Sequence, residues 1–112
     1  MMNDFTIKTL IKESHETAIN KGWYEEPLSF GERIALVHTE LAEALEEYRD
    51  GRGIREIYYE GEKPCGIPIE LADVLLRVFS ICGSLDVDLE TALKVKMAYN
   101  KTRPYKHGGK RL

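Results

Sequence analysis

The stretch HTELAEALEEY, His38 to Tyr48, decides how this chain reads. It is rich in helix formers, and Ile34, Val37, Leu41, Ala44, Leu45 and Tyr48 recur at the three-to-four spacing of a packed helix. It also carries four glutamates, Glu40, Glu43, Glu46 and Glu47. A helix turns about 100° per residue, so their directions follow. The apolar stripe centres between Val37 and Leu41. Glu40, Glu43 and Glu47 form a second stripe, roughly 85 to 145° away from that centre. Glu40 lies nearest the core edge, and Glu46 points elsewhere. On its own, a Glu-x-x-Glu pair is ordinarily a solvated face.

Working outward, Ser29 with Glu32 three residues on reads as a capping box opening this second helix. DGRG stops it after Asp50. Upstream, Phe5, Ile7, Leu10, Ile11, Ala18 and Ile19 predict a first amphipathic helix over residues 3 to 20, ended by Lys21-Gly22. WYEEPLSFGER connects the two. Downstream, Ile57-Tyr58-Tyr59 and the turn Glu60-Gly61-Glu62-Lys63 suggest a short hairpin. A third helix follows Pro68, from Ile69 to Gly83. Asp86 or Asp88 caps a fourth, which Pro104 closes near Thr102. The fold class is all-α, a four-helix-bundle-like single domain over residues 1–112, with residues 103–112 a basic, mobile tail.

Composition agrees. The chain has 112 residues, 43% hydrophobic and 31% charged, enough for one core and too few for two. A net charge of -3 gives no reason to expect a nucleic-acid or membrane-surface partner. No apolar run reaches the length of a membrane span. The start, MMNDFTIKTLIKESHE, mixes charge through its apolar positions, unlike a signal peptide. A cytoplasmic protein is expected. Cys65 and Cys82 stand too far apart for a CxxC motif and read as free thiols.

The third helix, IELADVLLRVFSICG, changes the reading of the glutamates. It is apolar around most of its circumference, with Glu70, Asp73, Arg77 and Ser80 confined to one strip. A helix of that kind should be largely buried, and buried carboxylates without partners are costly or lose their charge. Arg77 can answer Asp73 at i+4. It cannot also answer Glu70, Glu40 and Glu43. Four carboxylates converging from two packed helices call for cations, and the hard ion that takes oxygen ligands is Mg²⁺, with Mn²⁺ a substitute. His38 lies on the far side of its helix from Glu43, so this is no di-iron Glu-x-x-His pattern. On the fourth helix Lys96, Asn100 and Arg103 share one face at i, i+4 and i+7. Cations near a helix C-terminus suit its dipole in any case. The same row also suits phosphate oxygens, which together with a metal points to phosphoryl or pyrophosphoryl chemistry.

ELAE (Glu40 to Glu43), a 26-residue spacer and ELAD (Glu70 to Asp73) resemble the E-x-x-E…E-x-x-D signature of MazG-like nucleotide pyrophosphohydrolases. KMAYNKTRPYKHGGK, Lys96 to Lys110, is similar to the closing segment of many short members. The resemblance runs from about Trp23 to the end. It implies the all-α NTP pyrophosphatase fold, assembled as a homodimer or homotetramer. It implies hydrolysis of a nucleoside triphosphate between the α and β phosphates. Glu40, Glu43, Glu70 and Asp73 would bind Mg²⁺, Glu43 or Glu40 would activate water, and Lys96, Asn100 and Arg103 would contact phosphates. Trp23 is the candidate for stacking on the base, though a lone Trp also serves as core. The insert GIREIYYEGEKPCGIP is longer than the loop of compact members, and aromatics are fewer than in the dCTP-preferring branch. Two other readings stay open: a phosphoribosyl-ATP pyrophosphohydrolase, and a non-catalytic helical assembly protein whose acids are only a staple.

Overall fold

The computed structural model describes residues 5–104. The basic, mobile tail expected over residues 103–112 lies, beyond Pro104, outside the described residues. Four helices and one small sheet follow in the order α1 (Ile7–Asn20), α2 (Phe30–Arg49), β1 (Tyr58–Glu60), β2 (Lys63–Cys65), α3 (Ile67–Leu85) and α4 (Leu89–Thr102). The architecture is mostly helical. No helix among the described residues is long and apolar enough to cross a membrane.

Helix α3 is the hub. It packs against α1 on one side and α2 on the other, while α4 leans on α1. The core is correspondingly small: Ala18 from α1, Val37 and Ala44 from α2, and Ile67, Phe79, Ile81 and Cys82 from α3, with Cys65 beside them. Four successive residues, Phe79 to Cys82, are buried, so α3 is enclosed all round over that turn. It comes close to α1 at Gly83, where an added Cβ would stand 2.7 Å from His15 Cβ. The N-terminal half is less covered, and Leu71, Leu75 and Leu76 are exposed.

The ends of the helices are set locally. Thr6 caps α1 by accepting from the Thr9 amide, and Ser29 and Glu32 form the expected capping box on α2. Helix α3 starts at Ile67, two residues before the sequence-based boundary. Pro68 sits in its first turn, where a missing N–H has no consequence. Gly66 precedes it at φ 120°, and a Cβ there would run into the Glu56 carbonyl oxygen. The helix ends at Leu85, with Asp86 in the left-handed region at φ 56°. Asp88 is the cap of α4, accepting from the Thr91 amide at 3.0 Å.

The hairpin is present, with Tyr58 opposite Cys65 and Glu60 opposite Lys63 across the Gly61-Glu62 turn. Tyr58 ties it to α2 by donating its hydroxyl hydrogen to the Glu47 carboxylate, 2.8 Å from Oε1. The connection from α1 to α2 is tied from below. The Tyr24 hydroxyl lies 2.8 Å from Ser80 Oγ, which is 2% exposed, and His15 Nδ1 lies 3.5 Å from the same atom. That anchor fixes the adjoining Trp23.

One expectation about packing is corrected. Of the apolar stripe on α2, only Val37 and Ala44 are buried, whereas Ile34, Leu41, Leu45 and Tyr48 are exposed. The reason is that α2 has one helical neighbour, α3. Helix α4, whose Leu93, Val95, Met97 and Tyr99 are exposed, buries no residue.

Candidate metal centre

Glu40 and Glu43 leave α2 one turn apart, and Glu70 leaves the first turn of α3. The two helices meet so that one oxygen from each of these carboxylates lies within 4.8 Å of the others. The stripe geometry of α2 explains why Glu40 is inside: at the edge of the apolar face it is 8% exposed, whereas Glu43 is open to solvent. Glu70 lies between these extremes.

The convergence is electrostatically unfavourable without a cation. Burial pushes the Glu70 carboxyl up to about 7, with further upward pressure from a hydrogen bond shared with Glu43 and from the charges of Glu43, Asp73 and Glu40. Protonated, Glu70 can donate to Glu43. Ionised, both are acceptors only, and Glu70 Oε2 is enclosed with no hydrogen-bond partner. Asp73, one turn along α3, is also pushed up, by burial first and then by Glu40 and Glu43. Arg77 and Lys63 act on it in the opposite direction. Three converging oxygens, one of them enclosed and without a donor, suit a hard cation with oxygen ligands. The set can hold a metal ion. Among the described residues it is the one cluster of His, Cys, Asp or Glu side chains with that geometry.

The expected pairing of Arg77 with Asp73 is not what forms. Arg77 Nε donates instead across the helix interface to Glu40 Oε1 at 2.6 Å. Its guanidinium carbon also stands 4.7 Å from the centre of the Trp23 ring. Trp23 is half-exposed, and it forms one wall of a cleft of about 390 Å³ shared with Leu10, Thr17, Ala18 and Leu76. A row therefore runs from the carboxylates through Arg77 to Trp23 and an apolar cleft. Lys96, Asn100 and Arg103 do not join it within one chain. All three are exposed on α4, where Lys96 and Arg103 flank the Tyr99 ring at 5.3 and 6.0 Å. Sequence reasoning named Arg77 but gave it the wrong carboxylate, and it did not single out Lys63 or the Tyr58–Glu47 tie.

No protein-family model, no curated protein and no solved structure matches this chain.

Proposed function

We propose that this chain is a MazG-like nucleoside triphosphate pyrophosphohydrolase with the all-α NTP pyrophosphatase fold. It cleaves a (d)NTP between the α and β phosphates, giving the monophosphate and pyrophosphate. The observation that carries this reading is the convergence of Glu40, Glu43 and Glu70 around an oxygen with no donor. With Asp73 beside them, they would hold Mg²⁺, or Mn²⁺ in its place. When bound, that ion neutralises phosphate charge and polarises the bond to be broken.

The other roles fall to the chain's own side chains. Glu43, the solvent-open member of the cluster, orients the attacking water and takes its proton. Without a metal, Glu40 accepts a hydrogen bond from Arg77. Trp23 and the cleft beside it offer a flat apolar seat for a base. Lys96, Asn100 and Arg103 stabilise charge on the leaving pyrophosphate. They reach the acids of a second copy, with α4 of one subunit lying along the exposed apolar stripe of the other's α2. A symmetric pair is the commonest way to cover such faces.

The test is incubation of the purified protein with Mg²⁺ and a panel of canonical and modified (d)NTPs plus phosphoribosyl-ATP. Metal-dependent pyrophosphate release is expected, and chelation should stop it. A second reading draws on the short Arg77–Glu40 bridge: a helical assembly protein in which the acids are only a staple. It predicts no turnover of any member of the panel.

A further inference from the structure

Arg77 occupies a position that the nucleotide reading does not explain. Its Nε makes a short, charge-assisted bond to Glu40 Oε1, and the two side chains are only 28% and 11% exposed. Its guanidinium lies over the Trp23 ring. Among the described residues, neither terminal nitrogen of that guanidinium has a hydrogen-bond partner. A guanidinium presents five N–H donors in a planar fork, so the face that matches a phosphate or carboxylate is unclaimed.

We infer that Arg77 is the resident counter-cation of the carboxylate cluster. A divalent ion displaces it from Glu40, and its fork is then given to the anionic ligand beside the metal. The inference rests on the metal-centre reading above. It follows from two constraints. Desolvated carboxylates need a positive partner when no metal is bound, and Arg77 supplies one to the most buried of them. A fixed positive charge on a metal ligand opposes a second cation there, because like charges a few ångströms apart repel strongly in a partly buried site. Rotation about the Arg77 side-chain torsions above the Trp23 ring relieves that repulsion. The same movement would free the guanidinium N–H groups for an anionic ligand at the site. Metal binding and anion binding are thereby coupled through one side chain.

Trp23 is the chain's single tryptophan, so its emission reports on Arg77 without a label. In the full-length protein, Mg²⁺ is titrated by calorimetry and by Trp23 fluorescence in parallel. Emission should change in step with the occupancy measured by heat. Arg77→Met should bind Mg²⁺ roughly tenfold more tightly, and at saturating Mg²⁺ it should bind inorganic tripolyphosphate roughly tenfold more weakly, about the worth of one charge-assisted bond. Its emission response to Mg²⁺ should be lost. Arg77→Lys, which keeps the charge without the fork, should retain the weaker Mg²⁺ affinity and not restore tripolyphosphate binding. Mg²⁺ heat with unchanged wild-type emission would overturn the inference while leaving the metal centre standing. So would an Arg77→Met protein that loses affinity for both ligands together, as a purely structural role requires. If the wild type shows no Mg²⁺ binding at all, the metal centre fails and the displacement fails with it. The wild-type titration decides the matter even if Arg77→Met does not fold.

Discussion

Glu70 holds a proton near neutrality because burial and three neighbouring acids oppose its charge. Its folded-state value of about 7 lies above the ordinary 4.5. Between those values the folded chain binds a proton that the unfolded chain has released, so stability falls as pH rises through that window. Glu32 and Asp88, held low by their capping hydrogen bonds, act in the opposite sense, but only in the acid range where carboxylates ordinarily titrate. Melting temperatures measured in chelator should therefore drop from pH 5 to pH 8. Saturating Mg²⁺ should remove that slope, and Glu70→Gln should flatten it without metal. A metal-free protein that gains stability across this range would show that Glu70 is not the strained acid described. The three converging acids, Glu40, Glu43 and Glu70, were legible in the sequence because helical spacing fixes their directions, and because charges on an otherwise apolar helix demand a reason, whereas Asp73, expected with them, stands outside that set. The partner of Arg77 was not legible. Asp73 at i+4 and Glu40 across the interface compete for it, and the choice depends on the rotation of two helices about their axes.

At the level of elements, the site depends on where α3 begins. Gly66 takes a backbone conformation that side chains rarely adopt, and it lies against the Glu56 carbonyl. Gly66→Ala should cost about 3 kcal/mol in a denaturant titration, from strain and the clash together. It should also weaken Mg²⁺ binding in calorimetry, since the first turn of α3 carries Glu70. Tyr58→Phe removes the bond to Glu47 and should cost about 1 kcal/mol, leaving Mg²⁺ affinity unchanged. If Tyr58→Phe instead loosened the metal, the hairpin would belong to the site. The caps of α2 and the turn of the hairpin were readable because Ser-x-x-Glu and Gly at a tight turn act through local geometry. The true start of α3 was hidden by Pro68, which reads as a boundary yet is tolerated within a first helical turn. The isolation of α4 from the acids was not readable either, since amphipathicity reports that a face needs cover and not which surface provides it.

At the scale of the whole molecule, large apolar side chains stand open on three helices of the described residues. They include Leu41, Leu45 and Tyr48 on α2, Leu71 and Leu75 on α3, and Val95, Met97 and Tyr99 on α4. A second copy covers them in the assembly proposed, and Leu45→Glu should shift the sedimenting species toward monomer and lower activity with it. Glu43→Gln and Lys96→Ala should each be nearly inactive. Because acids and cations meet across the interface, refolding the two together should restore about a quarter of wild-type activity, one intact site in each mixed pair. No restoration would place both groups in one chain. The central claim is the bond that breaks. The most direct measurement is phosphorus NMR of a (d)NTP turned over by the wild-type protein with Mg²⁺, beside Glu43→Gln. The account predicts nucleoside monophosphate and pyrophosphate in equal amounts from the wild type and unchanged triphosphate from the variant. Diphosphate with orthophosphate, or equal turnover by the two proteins, would contradict it.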